Sequence, residues 1–408
     1  MNKTKAKSTP QFKSPNPVIY FIFAMLGKFL LKILFNHKIE KRVKLEKNKP
    51  YIFISNHASV LDVVMMMATV YPARFSILTG RDAFTMPIIK VAIKLMRGIP
   101  KNQFAIDIPS IRIIKSIIDD NRSVAIYPEG KVSLDGTNLH YLPIGIGKLM
   151  KMLNAEVIIT KVYGSNLAKP RWFKGLKFGN LKTVMDRVIS FEEIKTLSNQ
   201  EIYDRIRESI QFNDNIYQQE NKLRFRSKKP ALGYEYAYYK CPKCGVEYQM
   251  TTTNTHINCS ACGNSIQLNE YGELIPVGDS KTFARLDLWY DYQRQSCREE
   301  LLQDNFYIET PCKCFFNDVK ANEYKEVGEG IAYIDKEKIG YKGTYEGKPY
   351  EFSTPLKILH TITTKNEEGI DLTNDQGILR LDFIQNKYST KFGLLVEEYY
   401  RLTVIEKT

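Results

Sequence analysis

The sequence predicts an α/β protein: a helix-covered sheet in the first half, then a small cysteine-bearing module, then a β-rich C-terminal domain. Three observations predict it. Between residues 51 and 190, short apolar runs alternate with stretches of helical period, the pattern of a sheet covered by helices. Four of the seven cysteines stand as two C-x-x-C pairs between Cys241 and Cys262. From about residue 305 onward, runs rich in Tyr, Ile, Thr and Gly are punctuated by turn signals such as "NEEG" and "NDQG". A chain of 408 residues, 43% of them hydrophobic, is long enough for two or three domains and can bury a sizeable core.

The first fifty residues carry twelve Lys/Arg against two Glu, which is +10 of a net +14. Such a cluster suits an acidic surface, either lipid headgroups or nucleic acid. A solvated tail over residues 1–16 is the plainer reading. "PVIYFIFAMLGKFLLKILF" follows, from Pro17 to Phe35. No small-residue cleavage site ends it. Only Val18 to Gly27 is free of charge, short of the ~20 residues a span requires. Lys28 and Lys32, four apart, share one helix face and can snorkel. Residues 1–36 are therefore expected to be a basic tail and an interfacial helix on a membrane, with a buried core helix as the alternative and a true span disfavoured.

The next elements follow in order. Ile52, Phe53 and Ile54 suit an inner strand. Ser55 and Asn56 break the run, and an apolar helix is expected from Val60 to Met67. Residues 108–120 and 145–153 read as helices, "VAIYP" (124–128) and "EVIITKVYG" (156–164) as strands. Capping boxes at Ser190–Glu193 and Ser198–Glu201 announce closing helices. The basic stretch "RFRSKKP" (224–230) reads as a linker. The cysteine module occupies about 234–278. Residues 283–303 form a linker helix with Leu286, Trp289, Tyr290, Gln293 and Cys297 on one stripe. Residues 305–408 are β-rich and end in a helix near "KFGLLVEEYYRL". There is no internal repeat.

"YIFISNHASVLDVVMM" places His57 and Asp62 at a strand-to-helix corner, where sites are commonly built. A histidine acting as general base needs a carboxylate on its other ring nitrogen, to fix the tautomer and stabilise the imidazolium. The plainer reading is a histidine capping the helix. Seventy residues later, "SVAIYPEGKVSLDG" again runs a buried strand into a polar corner at Pro128, Glu129 and Gly130. Gly130 allows positive φ or close approach of a ligand.

"NHASVLD" and "YPEGKVS", in this order and spacing, resemble the first and third motifs of the glycerolipid acyltransferase family, N-H-x-x-x-x-D and F-P-E-G-T-R-S. That family includes the 1-acylglycerol-3-phosphate acyltransferases. The likeness covers roughly residues 45–190 and implies an acyltransferase domain over 37–228. It implies that His57 takes the proton of an acceptor hydroxyl as that hydroxyl attacks a thioester, and that Asp62 orients His57. Glu129 and Gly130, with Lys131 and Ser133, match the segment that helps hold the acceptor. The expected partners are membrane lipids, acyl-CoA or acyl carrier protein as donor, and a lysophospholipid acceptor, at the cytoplasmic face of the membrane. Two departures stand out. Val132 occupies a position where the family usually has Arg, and Gln103 falls where the second motif's Arg is expected. Arg97 or Lys101 could substitute; ordinary surface cations are the alternative.

"KCPKCGVEYQMTTTNTHINCSACGN" gives C-x-x-C, fourteen residues, C-x-x-C. Cys241, Cys244, Cys259 and Cys262 supply four thiolates suited to tetrahedral zinc, in the spacing of a zinc ribbon. Gly245 and Gly263 each follow a second cysteine, where the tight turn wants positive φ. Four thiolates close the coordination sphere, so a structural zinc is expected. The odd cysteine count and paired spacing favour a reducing compartment over a disulfide framework. Cys297, Cys312 and Cys314 read as free thiols, and His256 as a bystander.

"GEGIAYIDKEKIGYKGTYEGKPYEFSTPLKILHTI" resembles strands of pleckstrin-homology-like domains, with a generic β-sandwich or ribbon as the alternative. The leading function is a lysophospholipid O-acyltransferase in phospholipid synthesis or remodelling; an acceptor without phosphate is the alternative within the family. A zinc-ribbon nucleic-acid binder is a competing class. The basic excess argues against it, because it lies beside the apolar segment and not on the ribbon, so no nucleic acid is expected. A lipid-binding scaffold without catalysis is disfavoured by the intact His57 and Asp62.

Overall fold

The computed structural model describes residues 12–85, 87–102, 104, 107–138, 142–318, 323–365, 368–373, 377–384 and 388–406. The first eleven residues of the basic tail, Gln103, and part of the "NEEG" and "NDQG" turns lie outside them.

Seven strands build the first sheet: β1 (Lys38–Lys41), β2 (Tyr51–Ile54), β3 (Phe75–Gly80), β4 (Ile99–Lys101), β5 (Ser123–Ile126), β6 (Glu156–Tyr163) and β7 (Lys182–Ile189). Their order is β1-β7-β6-β2-β5-β3-β4. All pairs are parallel except β6 with β7. Every residue of β2 and β5 is buried, as expected of strands covered on both faces. The covering helices are α1 (Pro17–Phe35), α2 (Asp62–Val70), α3 (Pro87–Leu95), α4 (Ile108–Asp119) and α5 (Gly145–Leu153), with α6 (Ser165–Ala168), α7 (Glu193–Thr196), α8 (Asn199–Ser209) and α9 (Asp214–Glu220) closing the unit. Ser198 and Glu201 cap α8 reciprocally, and Ser190 and Glu193 make the same exchange ahead of α7.

Asn16 starts α1 by accepting from the amides of Val18 and Ile19. One face, Tyr20, Ala24, Gly27, Leu31 and Phe35, is buried. Gly27 permits this approach, since a Cβ there would stand 2.6 Å from Val64 of α2. The other face is apolar and bare, with Val18, Phe21, Ile22, Leu26, Phe29 and Ile33 exposed. By length and composition alone, with Lys28 and Lys32 counted in, the helix is long and apolar enough to cross a membrane.

The cysteine module is a four-stranded antiparallel sheet of β8 (Met250–Thr252), β9 (His256–Cys259), β10 (Ser265–Leu268) and β11 (Leu274–Pro276). Helix α10 (Leu286–Leu301) follows. The last domain is one antiparallel sheet of β12 (Tyr307–Asp318), β13 (Glu323–Asp335), β14 (Lys338–Tyr345), β15 (Lys348–Pro355), β16 (Thr363–Lys365), β17 (Gly369–Thr373) and β18 (Gly377–Phe383). Its order is β15-β14-β13-β12-β18-β17-β16, and helix α11 (Tyr388–Tyr400) packs against it through Phe392 on Phe383.

Two readings of the sequence are corrected. Residues 224–230 are not a loose linker: Phe225 is buried, its amide donates to Glu270 O at 2.7 Å, and Phe178 and Arg226 exchange two backbone bonds of 2.9 Å. The buried Phe225 ring and these backbone bonds together pin the strap. Helix α10 does not act as a linker either. All five residues of its predicted stripe are buried, and Trp289 and Gln293 bond the backbone of Lys240 and Ala237. One apolar core runs from Trp172 through the cysteine module and α10 into the last sheet.

Candidate active site

Strands β2 and β5 are neighbours in the parallel sheet, so their carboxyl ends open on the same edge, where α/β sheets bind ligands. The corner after β2 carries His57, and the corner after β5 carries Glu129. The first corner is fixed to β6: Ser55 Oγ donates to Thr160 O at 2.6 Å, and the Asn56 amide exchanges two bonds with the backbone of Val162. The chain then turns through Ser59 into α2, which starts at Asp62, two residues later than the apolar run implies, because the Asp62 amide bonds Ser59 O.

This turn brings His57 Nδ1 to 3.1 Å from Asp62 Oδ2, which also accepts from the Ser59 amide at 2.8 Å. Asp62 is fully buried, whereas the His57 side chain is 17% exposed. With Nδ1–H donated to Asp62, the His57 Nε2 carries the lone pair. The ring stacks on Tyr127 with centroids 4.1 Å apart. Burial, and then the charge of Asp62, push the Tyr127 hydroxyl well above its ordinary pKa, so it is neutral. The second corner grips the first: the His57 amide donates to Glu129 Oε1 at 2.8 Å, and the Ser133 amide donates to His57 O at 2.8 Å. Gly130 has φ +66°, the left-handed turn expected of it.

The other expected acceptor residues are divided. Ser133 Oγ is turned inward, donating to Asp135 at 3.1 Å and accepting from the Gly136 amide at 3.0 Å. Lys131 points away into the last domain, donating to Glu397 Oε1 at 2.8 Å and Thr361 Oγ1 at 3.2 Å. Lys101 is half-buried beside His360, and burial lowers its pKa. Arg97 is exposed, in a left-handed turn at φ +53°. Tyr127 and Asn56, which support His57 and its strand, were not singled out from the sequence. Both lie inside the two motifs, so closeness to the motif was the available signal.

In the cysteine module, the Sγ atoms of Cys241, Cys244, Cys259 and Cys262 lie within 4.8 Å of one another. Cys241 and Cys262 are 3.8 Å apart, Cys244 and Cys259 3.9 Å. A tetrahedron with metal–sulfur bonds of ~2.3 Å has edges of about 3.8 Å, so the thiols fit one zinc-sized ion. Gly245 and Gly263 have φ +73° and +71° and bond back to Cys241 O and Cys259 O. His256 Nδ1 instead meets Thr255 Oγ1. Cys297, Cys312 and Cys314 are buried free thiols.

Residues 36–163 match the family model described as Acyltransferase. The chain is 25% identical over 164 residues to the chloroplastic 1-acyl-sn-glycerol-3-phosphate acyltransferase of Arabidopsis thaliana, covering 40% of this chain. It spans 45% of that relative's length, less than half. The crystal structure of the 1-acyl-sn-glycerophosphate acyltransferase of Thermotoga maritima superposes with a TM-score of 0.38 at 16% identity. That superposition covers 47% of this chain and 78% of the other.

Proposed function

We propose that this chain, with its acyltransferase-family domain and added four-cysteine module, is a membrane-associated O-acyltransferase. It moves a fatty acyl group from a thioester, acyl-CoA or acyl carrier protein, to a hydroxyl of a lysophospholipid. The first acceptor to test is 1-acylglycerol-3-phosphate. The observation that carries the reading is His57 between Asp62 on its ring and Glu129 on its amide, inside the matched segment. In this mechanism Nε2 takes the proton of the acceptor hydroxyl as its oxygen attacks the thioester carbonyl. Asp62 stabilises the resulting imidazolium, and the proton then goes to the departing thiolate. The bare apolar face of α1 supports peripheral or monotopic attachment to the membrane.

A structural zinc on the four cysteines would stabilise the module and supply no open coordination position. The last domain's strand order supports a pleckstrin-homology-like reading, since two meanders meet through β12 and close with a terminal helix. One observation favours an acceptor without phosphate: the charge of Lys131 is taken up by Glu397, not left for an anion. Incubation of the detergent-solubilised chain with labelled acyl-CoA or acyl carrier protein and a panel of lysolipids and neutral alcohols tests the proposal. Label in a lysophospholipid product supports the first reading, and label only in neutral products supports the second. No transfer to any acceptor counts against both.

A further inference from the structure

The turn of residues 129–133 holds the backbone of His57 at two points, through the Glu129 carboxylate and the Ser133 amide. Lys131 is the apex between those points. Its side chain is 6% exposed, and the ammonium reaches Glu397 on α11. Glu397 is itself fixed. Arg294 of α10 donates to its other oxygen at 3.0 Å, and Thr361 Oγ1 donates to Oε1 at 2.8 Å. Burial alone would push the Glu397 carboxyl up, but Lys131 first and Arg294 next hold it down at about 2. The α11 backbone sits hard against this contact. A Cβ at Gly393, one turn before Glu397, would lie 3.6 Å from Lys131 Nζ and 2.8 Å from the Thr364 methyl.

We infer that Glu397 is a positioning residue for His57. The last domain is the outer anchor of the turn that holds the general base, and acyl transfer requires that domain to be docked. The inference rests on the proposed role of His57, but the geometry behind it does not. Either change cuts the tie and frees the apex of the turn: Glu397→Gln leaves the buried Lys131 charge uncompensated, and Lys131→Met removes the tether while Arg294 still holds Glu397. The Glu129 and Ser133 bonds to His57 then open more often.

Hydrogen exchange by mass spectrometry on the full chain tests this without reference to activity. The set is wild type, Lys131→Met, Glu397→Gln and the double variant, followed in peptides covering 55–58 and 129–134. Each single change is expected to speed exchange of the His57 and Ser133 amides by about tenfold, and the double to be no faster than the faster single, because one tie is cut once. Exchange in β5 and β9 should be unchanged. Where transfer is measurable, kcat should fall by about tenfold while KM for the acyl donor stays within about twofold. Glu397→Gln could loosen the whole last domain. Lys131→Met decides in that event, since it leaves Glu397 on Arg294 and Thr361. Unchanged exchange at His57 and Ser133 in Lys131→Met overturns the inference, whatever the activity. Faster exchange in a chain that transfers no acyl group keeps the anchor and removes the proposed function instead.

Discussion

The backbone amide of His57 donates to the carboxylate of Glu129 at 2.8 Å, across 72 positions of the chain. A charged acceptor on a part-buried backbone donor contributes roughly 1.5–3 kcal/mol. Glu129→Ala should therefore lower stability by about 2 kcal/mol and turnover by at least tenfold, while Glu129→Gln, which still accepts, should lose less of both. Denaturant midpoints and initial rates on the two variants check this. Equal loss in both would mean that the charge acts elsewhere than on the His57 amide.

Phe21, at the edge of the exposed face of α1, and Phe29, farther round it, stand outside the buried stripe of Tyr20 and Ala24. Phe21→Glu with Phe29→Glu should leave the fold intact and strongly reduce flotation with anionic vesicles. The apolar area that would enter the lipid is lost, and the new charges repel anionic headgroups. Undiminished flotation would make another surface the anchor.

The four thiols have the spacing of a filled tetrahedral site. Freshly purified protein should release one zinc per chain when its thiols are titrated with a mercurial. Because the module shares a core with α10 and the last sheet, metal loss should raise protease sensitivity beyond 234–278 into 286–406. The first sheet, with its own apolar strands, should resist longest. Zinc-free protein of unaltered protease resistance would contradict the site.

His360 is held down to about 4, first by burial and then by Lys101. An unfolded histidine titrates near 6.5. Between those values the unfolded chain binds more protons, so His360 contributes stability that is complete above about 6.5 and lost as pH falls toward 4. The loss is on the order of 3 kcal/mol once both states are protonated. The denaturant midpoint should therefore fall less steeply over this window in His360→Gln than in wild type. Parallel slopes would mean that the ring is not buried neutral.

The two corners are legible because each motif is local: Asp62 follows His57 by five positions, and one turn separates Glu129 from Ser133. Apolar runs mark β2 and β5 as buried strands and β6 as a strand, and the stripe on α10 is readable at its helical period. What the linear order conceals is adjacency. Nothing in the sequence says that β2 and β5 are neighbours, that Lys131 meets Glu397 266 positions later, or that Phe225 pins a basic strap. Apolarity continues through Val60 and Leu61 and so predicts an earlier start for α2, but a turn closed by the Asp62 amide on Ser59 O occupies those residues.

The most direct test of the central claim is the turnover of His57→Ala with whichever acceptor the wild-type protein acylates, alongside its denaturant midpoint. His57 stands at a corner, with part of its ring at the surface. Its truncation should leave the fold close to wild type and abolish transfer. Asp62→Asn, which unfixes the tautomer, should cost up to ~10⁴-fold, as loss of the orienting carboxylate does in the serine-protease triad. Near-wild-type turnover in folded His57→Ala would contradict the account.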